Sequence, residues 1–184
     1  MTMNKILKNL YEQALLHRQI HDCGAVPFQD GKLLVKLARD TKRILEIGSG
    51  FGYSTVCLAL DNKNAVVETI DKDAIHIMFA RENCENLGLK DRVIFYQAKA
   101  EDIFPLLKDG TYDLIFYDGH VPQRKFVGQF ERLLKKGGVA ITANLFLSDS
   151  TGGKYLKNLK NLSNTKFKKW ETRVIEDNAV SIKL

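Results

Sequence analysis

The sequence predicts an α/β fold on a mostly parallel sheet, and three observations predict it. Short apolar runs alternate with helical periodicities from residue 44 to residue 142, the pattern of a sheet covered on both faces. The first run, ILEIGSGFGYS, leads directly into three alternate glycines, and a helix follows them. The chain has 184 residues, 45% of them hydrophobic, which suffices for one sizeable core and a single domain.

Each element has its own warrant. Met3, Ile6, Leu7, Leu10 and Ala14 recur at helical spacing, so residues 3 to 16 read as an amphipathic helix. After a looser stretch with Gly24 and Pro27, Lys32 to Ala38 reads as a second short helix. Ile44 to Ile47 is then a first buried strand, Tyr53 to Leu60 a helix, and Ala65 to Ile70 a second strand closed by Asp71. Asp73 is placed to cap the next helix, whose face is expected to carry Ile75, Met78, Phe79 and Leu87, and Gly88 suits its C-terminal turn. Val93 to Tyr96 and Tyr112 to Tyr117 are the third and fourth strands. A helix from Phe126 to Lys136 is expected to run into Gly137 and Gly138, followed by a fifth strand from Val139 to Thr142. From about Lys166 to Leu184 the chain reads as two strands broken at Asp177 and Asn178, a turn-forming pair.

In such sheets ligands bind beyond the carboxyl ends of the strands, where the winding direction changes. The loop of Gly48, Ser49, Gly50 and Gly52 lies there, as do Asp71, the segment after the third strand, and Asp118. Spacing restricts the ligand. A dinucleotide fingerprint would need a third glycine at position 53, where Tyr53 stands, and a P-loop would need a lysine followed by Ser or Thr. Glu46 instead lies two positions before Gly48, where a carboxylate would repel a pyrophosphate and attract an ammonium group. Asp71 is placed to accept hydrogen bonds from ribose hydroxyls. A ligand with a ribose, a cationic amino-acid part and no phosphate is S-adenosylmethionine.

The motifs ILEIGSGFGYSTVCLA, VETIDKD, RVIFYQAKAEDIFPLL, YDLIFYDG and LLKKGGVAITANL occur in that order. Together they resemble the class I S-adenosylmethionine-dependent methyltransferases, and within them the caffeoyl-CoA and catechol type of O-methyltransferase. The resemblance implies a Rossmann-like three-layer sandwich with a seven-stranded, mostly parallel sheet whose last strand is antiparallel. It implies a single domain over residues 1–184: N-terminal helices covering the site to residue 40, a cofactor-binding core over 41–147, and a C-terminal helix and strand pair over 148–184. Glu46 and Gly48 would line the methionine end, Ser54 and the backbone near Tyr53 would hold the carboxylate, and Asp71, followed by Lys72, would bind the ribose. Ala100 and Glu101 would approach the adenine, with Lys99 at the position that is usually acidic.

Related enzymes hold a divalent cation with an Asp after the fourth strand and an Asp-Asn pair after the fifth. Asp118 and Asn144 match two of these, but Ala143 replaces the middle ligand and Val121 stands at the family's lysine. Two oxygen ligands make a poor site for a hard cation, so no divalent metal is expected. Asp118 and His120 are then the candidates for handling the acceptor's proton. His17 and His21, near the entry to the first motif, read as surface histidines, with covering of the site as the alternative; Cys57 reads as core and Tyr117 as a packing residue.

These readings converge on methyl transfer to an oxygen of a small-molecule acceptor, with S-adenosylhomocysteine as product. Methylation of tRNA or rRNA is the alternative, prompted by a net charge of +6 and by Lys154, Lys157, Lys160, Lys166, Lys168 and Lys169. A non-catalytic cofactor-binding protein is the alternative of another class. No membrane partner is expected, because no segment has the apolar length of a span. A homodimer is expected by family analogy alone. Cys23, Cys57 and Cys84 form no CxxC pair, which with the absence of a signal-like N-terminus suggests a reduced, cytoplasmic protein.

Overall fold

The computed structural model describes residues 2–22, 27, 31–119, 124–143, 170–175 and 178–183. Their order is α1 (Met3–His21), α2 (Gly31–Ala38), β1 (Arg43–Ile47), α3 (Tyr53–Leu60), β2 (Val66–Asp71), α4 (Ala74–Asn86) and β3 (Val93–Gln97). The short α5 (Ala100–Ile103), then β4 (Tyr112–Tyr117), α6 (Arg124–Leu133), β5 (Leu134–Thr142), β6 (Trp170–Ile175) and β7 (Asn178–Lys183) follow. The seven strands form one sheet in the order β3-β2-β1-β4-β5-β7-β6. Neighbours from β3 to β5 are parallel, whereas β7 runs antiparallel to both β5 and β6. The expected fold class is therefore present, including its antiparallel last strand.

Side-chain alternation along the central strands makes two cores. Ile44, Leu114 and Phe116 point to one face, where they meet Leu34 of α2, Val56 and Cys57 of α3 and Leu10 of α1. Leu45, Ile115 and Tyr117 point to the other, against Phe104, Phe126 and Phe130. Every one of these central strands is covered on both sides, which is why it reads as a continuous apolar run. Cys57 is buried as expected.

Four boundaries or faces differ from the sequence reading. Helix α1 continues to His21, because His17 extends the buried stripe of Leu7, Leu10 and Ala14 by one more turn. Asp73 does cap α4, accepting from the backbone N–H of Ile75 and His76, and the turn at Gly88 closes with bonds from Gly88 to Glu85 and from Leu89 to Cys84. The buried face of α4 is nevertheless Ile77, Ala80 and Cys84, and Ile75 and Met78 are exposed. The helix offers apolar residues on two sides, and its approach to the glycine loop decides between them. Helix α6 ends at Leu133, and β5 starts at Leu134 rather than Val139. Gly110 and Thr111 donate to the carbonyls of Arg132 and Leu133, and Tyr112 pairs with Leu134, so strand pairing overrides the helical preference of Leu134 to Lys136.

The loop after β1 is held from behind by α4. Gly52 has φ +93°, and a Cβ there would lie 2.7 Å from the Ala80 backbone and 2.9 Å from its methyl. Replacing Gly52 by alanine should therefore destabilise the fold by roughly 1–3 kcal/mol, through left-handed strain and overpacking together. Denaturant unfolding of G52A, with an unchanged m-value and a lower midpoint, is the expected result.

Candidate functional site

At the carboxyl end of the sheet β1 and β4 are adjacent, although the helices that follow them leave in opposite directions, and a cavity of about 960 Å³ opens there. Its floor is the glycine loop. Gly48 has φ +95°, and a Cβ on it would strike the carbonyl oxygen of Asp118 at 2.4 Å, so only glycine fits where the two strand ends meet. Gly48 donates to the Ile70 carbonyl at 2.8 Å and Asp118 to the Ile47 carbonyl at 2.9 Å. Three strand ends are thereby tied to one turn.

Asp71, at the end of β2, lies directly against the loop at the cavity wall. Its carboxylate accepts from the Gly50 backbone N–H at 3.0 Å and the Asp73 N–H at 3.0 Å, with the Ser49 hydroxyl at 3.5 Å and His76 Nδ1 at 3.4 Å. Burial pushes this carboxyl up, but the bonds from His76, Asp73 and Gly50 outweigh it and hold Asp71 below the usual carboxylate range. Asp71 is thus a fixed, charged acceptor. Lys72 beside it, Ala100 and Glu101 after β3, and Asp118 and Gly119 after β4 complete the far walls. A backbone hydrogen bond, and then the Lys125 ammonium at 3.2 Å, keep the Glu101 carboxyl low.

Tyr53 and Ser54 open α3 at the cavity wall, with Tyr53 packed edge-on against Tyr11 of α1 at 5.3 Å. Two expected site residues stand behind that wall. Gly52 backs onto Ala80, and Glu46 is fully buried, because β1 turns its side chain away from the cavity that Ile47 lines. Glu46 accepts from the Thr55 hydroxyl through one oxygen, and its other oxygen has no partner among the described residues. Burial raises its carboxyl to about 7 against the opposing pull of the Ser54, Thr55 and Thr69 hydroxyls.

His17 corrects the reading of a surface histidine. His17 is buried, not a surface residue, and together with the exposed His21 it lines the cavity. Its ring packs on His21 at 4.5 Å, Phe79 at 5.0 Å, Phe51 at 5.2 Å and His76 at 5.5 Å. Burial, then the neighbouring His21 and His76, push its pKa down, against a weaker upward pull from Asp73. The i, i+3 continuation from Ala14 was the signal that places His17 inward. No local signal marks His76, which reaches the site only because α4 starts beside Asp71.

Tyr117 packs on Phe126 and Phe130, each at 5.7 Å, and its edge also reaches the cavity. Burial, with Glu101 and Asp118 nearby, pushes its hydroxyl up to about 12, so it is neutral at physiological pH. Ala143 is buried against the core, and its N–H donates to the Tyr117 carbonyl at 2.9 Å. His120, Val121, Asn144 and the lysines from Lys154 to Lys169 lie outside the described residues. Among the described residues no group of three or more His, Cys, Asp or Glu side chains is arranged to hold a metal, and no helix is long and apolar enough to cross a membrane.

Glu46 and His17 give stability opposite pH dependences. Glu46 has a folded value above its unfolded 4.5, so its contribution is full below about pH 4.5 and is lost as pH rises through about 7. His17 has a folded value below 6.5, so its contribution is full above about pH 6.5 and is lost as pH falls below it. The Glu46→Gln variant should be the more stable partner at pH 8, by on the order of 2–3 kcal/mol relative to the difference at pH 4.5. Melting curves of both proteins at the two pH values check this.

Residues 38–180 match the family described as methyltransferase domain. The catechol O-methyltransferase of Mycobacterium tuberculosis is 34% identical over 125 residues, covering 66% of this chain and 57% of that protein. The cofactor-bound Rv0187 structure from MTB superposes with a TM-score of 0.77 at 25% identity, over 95% of this chain and 89% of that one. The O-methyltransferase TomG of Streptomyces achromogenes shares the fold, with a TM-score of 0.78 at 21% identity over 99% and 91% of the two chains. The chain spans about three fifths of the length of the curated relatives it matches. With the family match running from the end of α2 into β7, through the whole glycine loop and both acidic strand ends, the chain belongs to the methyltransferase domain family.

Proposed function

We propose that the protein is an S-adenosylmethionine-dependent O-methyltransferase acting on a small-molecule acceptor. The observation that carries this is the charge of the cavity beyond a glycine loop. Among the described residues the lining has five carboxylates, on Asp22, Asp71, Asp73, Glu101 and Asp118, against two lysines, Lys72 and Lys99. A loop built for phosphate would present the reverse balance. Relatives named catechol O-methyltransferase, and a TomG structure described as a complex with SAM, support the same reading.

The residues fit the cofactor. The cradle at Gly48 is one that a Cβ would fill, and Asp71 is fixed and charged where ribose hydroxyls would donate. Ser54, at the first turn of α3, would take the carboxylate, and Ala100 and Glu101 would flank the adenine. Glu46 would act on the ligand's cationic end from behind the wall, as a buried charge rather than a direct contact. When bound, S-adenosylmethionine supplies a methyl group already activated on a sulfonium. The protein's share is alignment, exclusion of water and acceptance of a proton. Asp118 faces the cavity and would accept that proton from an acceptor hydroxyl, with His120 as the second candidate. Tyr117 is held neutral and would not serve as base. The volume, near the top of the range of about 300–1,000 Å³ for ligand sites, leaves room for an acceptor beside the cofactor.

The described donors do not fit a divalent cation of the family type. Where a second carboxylate would stand beside Asp118, the Ala143 methyl is packed into the core. The domain is taken as one unit over 1–184, in which the end of α1 covers the site and β6 and β7 complete the sheet. A reducing, cytoplasmic setting accords with the burial of Cys57 and Cys84.

Isothermal titration with S-adenosylhomocysteine should show one site and a raised melting temperature, and Asp71→Ala should weaken binding at least about tenfold. A folded protein without such binding would overturn the proposal. Methyl transfer to a panel of phenolic acceptors should be insensitive to EDTA; turnover abolished by chelation and restored by magnesium would show that Asp118 recruits a metal after all.

A further inference from the structure

The imidazole beside Asp71, His76, and the one packed on it, His17, come from two elements that are far apart in sequence. His76 lies on the first turn of α4, and its Nδ1 sits 3.4 Å from the Asp71 carboxylate, with only 13% and 11% of the two side chains exposed. His17 lies near the end of α1 and packs on His76 at 5.5 Å. Phe51 of the glycine loop and Phe79 of α4 enclose His17 on its other sides, at 5.2 and 5.0 Å, and stack on each other at 5.5 Å. His17 Nε2 is buried without a partner among the described residues. The ring therefore acts here as an aromatic wedge between the loop and α4.

Two consequences follow from this arrangement. The Asp71 oxygen nearest His76 is the one that also accepts from Gly50, so His76 bears on the side of the carboxylate that faces the loop. The ring packed edge-on to His76 belongs to α1. We propose that His76 is a positioning residue for Asp71, and that α1 seats it through His17, so that the N-terminal helix is a working part of the ribose site and not only its cover. The inference rests on the cofactor reading given above. A carboxylate aimed in advance binds better than one that must be ordered on binding, since the cost of ordering is met during folding. The lowered pKa of Asp71, to which His76 contributes, agrees with the geometry.

A double-mutant cycle tests this with S-adenosylhomocysteine as probe. His76→Ala should weaken binding by roughly five- to tenfold in the wild-type background and by less than about twofold in the Asp71→Asn background, because the two side chains act as one unit. The 2′,3′-dideoxyribose analogue of the probe should bind wild type and H76A alike. His17→Phe should keep the affinity and His17→Ala should lower it, with melting curves confirming that each variant is folded. Equal losses for His76→Ala in both backgrounds, or an equal loss with the dideoxy analogue, would overturn the proposal by showing a merely structural role. Wild-type protein that fails to bind the probe at all would instead remove the cofactor reading, and this inference with it.

Discussion

The site depends on the close approach of two backbones where β1 and β4 end. At Gly48 the chain turns with φ +95° directly under the Asp118 carbonyl, at a separation that leaves no space for a β-carbon. The same residue donates to Ile70, while Asp118 donates to Ile47, so the ends of β1, β2 and β4 share one knot of backbone hydrogen bonds. The parallel register, Ile47 beside Ile70 and beside Tyr117, then carries Asp71 and Asp118 to opposite walls of one cavity. A larger residue at position 48 would separate the strands and the two carboxylates together.

Electrostatics then sorts those carboxylates into different tasks. Asp71 keeps its charge because backbone N–H groups and His76 meet it. Glu46, one layer deeper and fully buried, is pushed towards neutrality near physiological pH. A cation arriving in the cavity would draw Glu46 back towards its charged form, since an opposite charge in a poorly solvated region favours ionisation. The two groups differ in solvation and hydrogen-bond supply rather than in chemistry.

Much of this was legible in the sequence, and the rest was not, for identifiable reasons. The strands β1 and β4 were readable because strands buried on both faces are continuous apolar runs. The glycine loop, Asp71 and Asp118 followed from their positions at strand ends. The start of β5 was hidden because Leu134 to Lys136 have helical preference and only their pairing with Tyr112 makes them strand. The inward face of α4 was hidden because Ile75 and Met78 rival Ile77 in apolarity, and contact with Gly52 selects the latter. Glu46 was expected to act on an ammonium group directly or through water, and the alternation of β1, readable from Ile47, places its side chain behind the cavity lining. His76 had no sequence signal, because its role arises from where α4 begins in space.

The most direct measurement is a crystal structure of the protein with S-adenosylhomocysteine. The account predicts the ribose hydroxyls within hydrogen-bond distance of the Asp71 carboxylate, the amino-acid end over Gly48 and Gly50, and the sulfur facing Asp118. A product bound with its ribose away from Asp71, or outside the cavity between the glycine loop and Asp118, would contradict it.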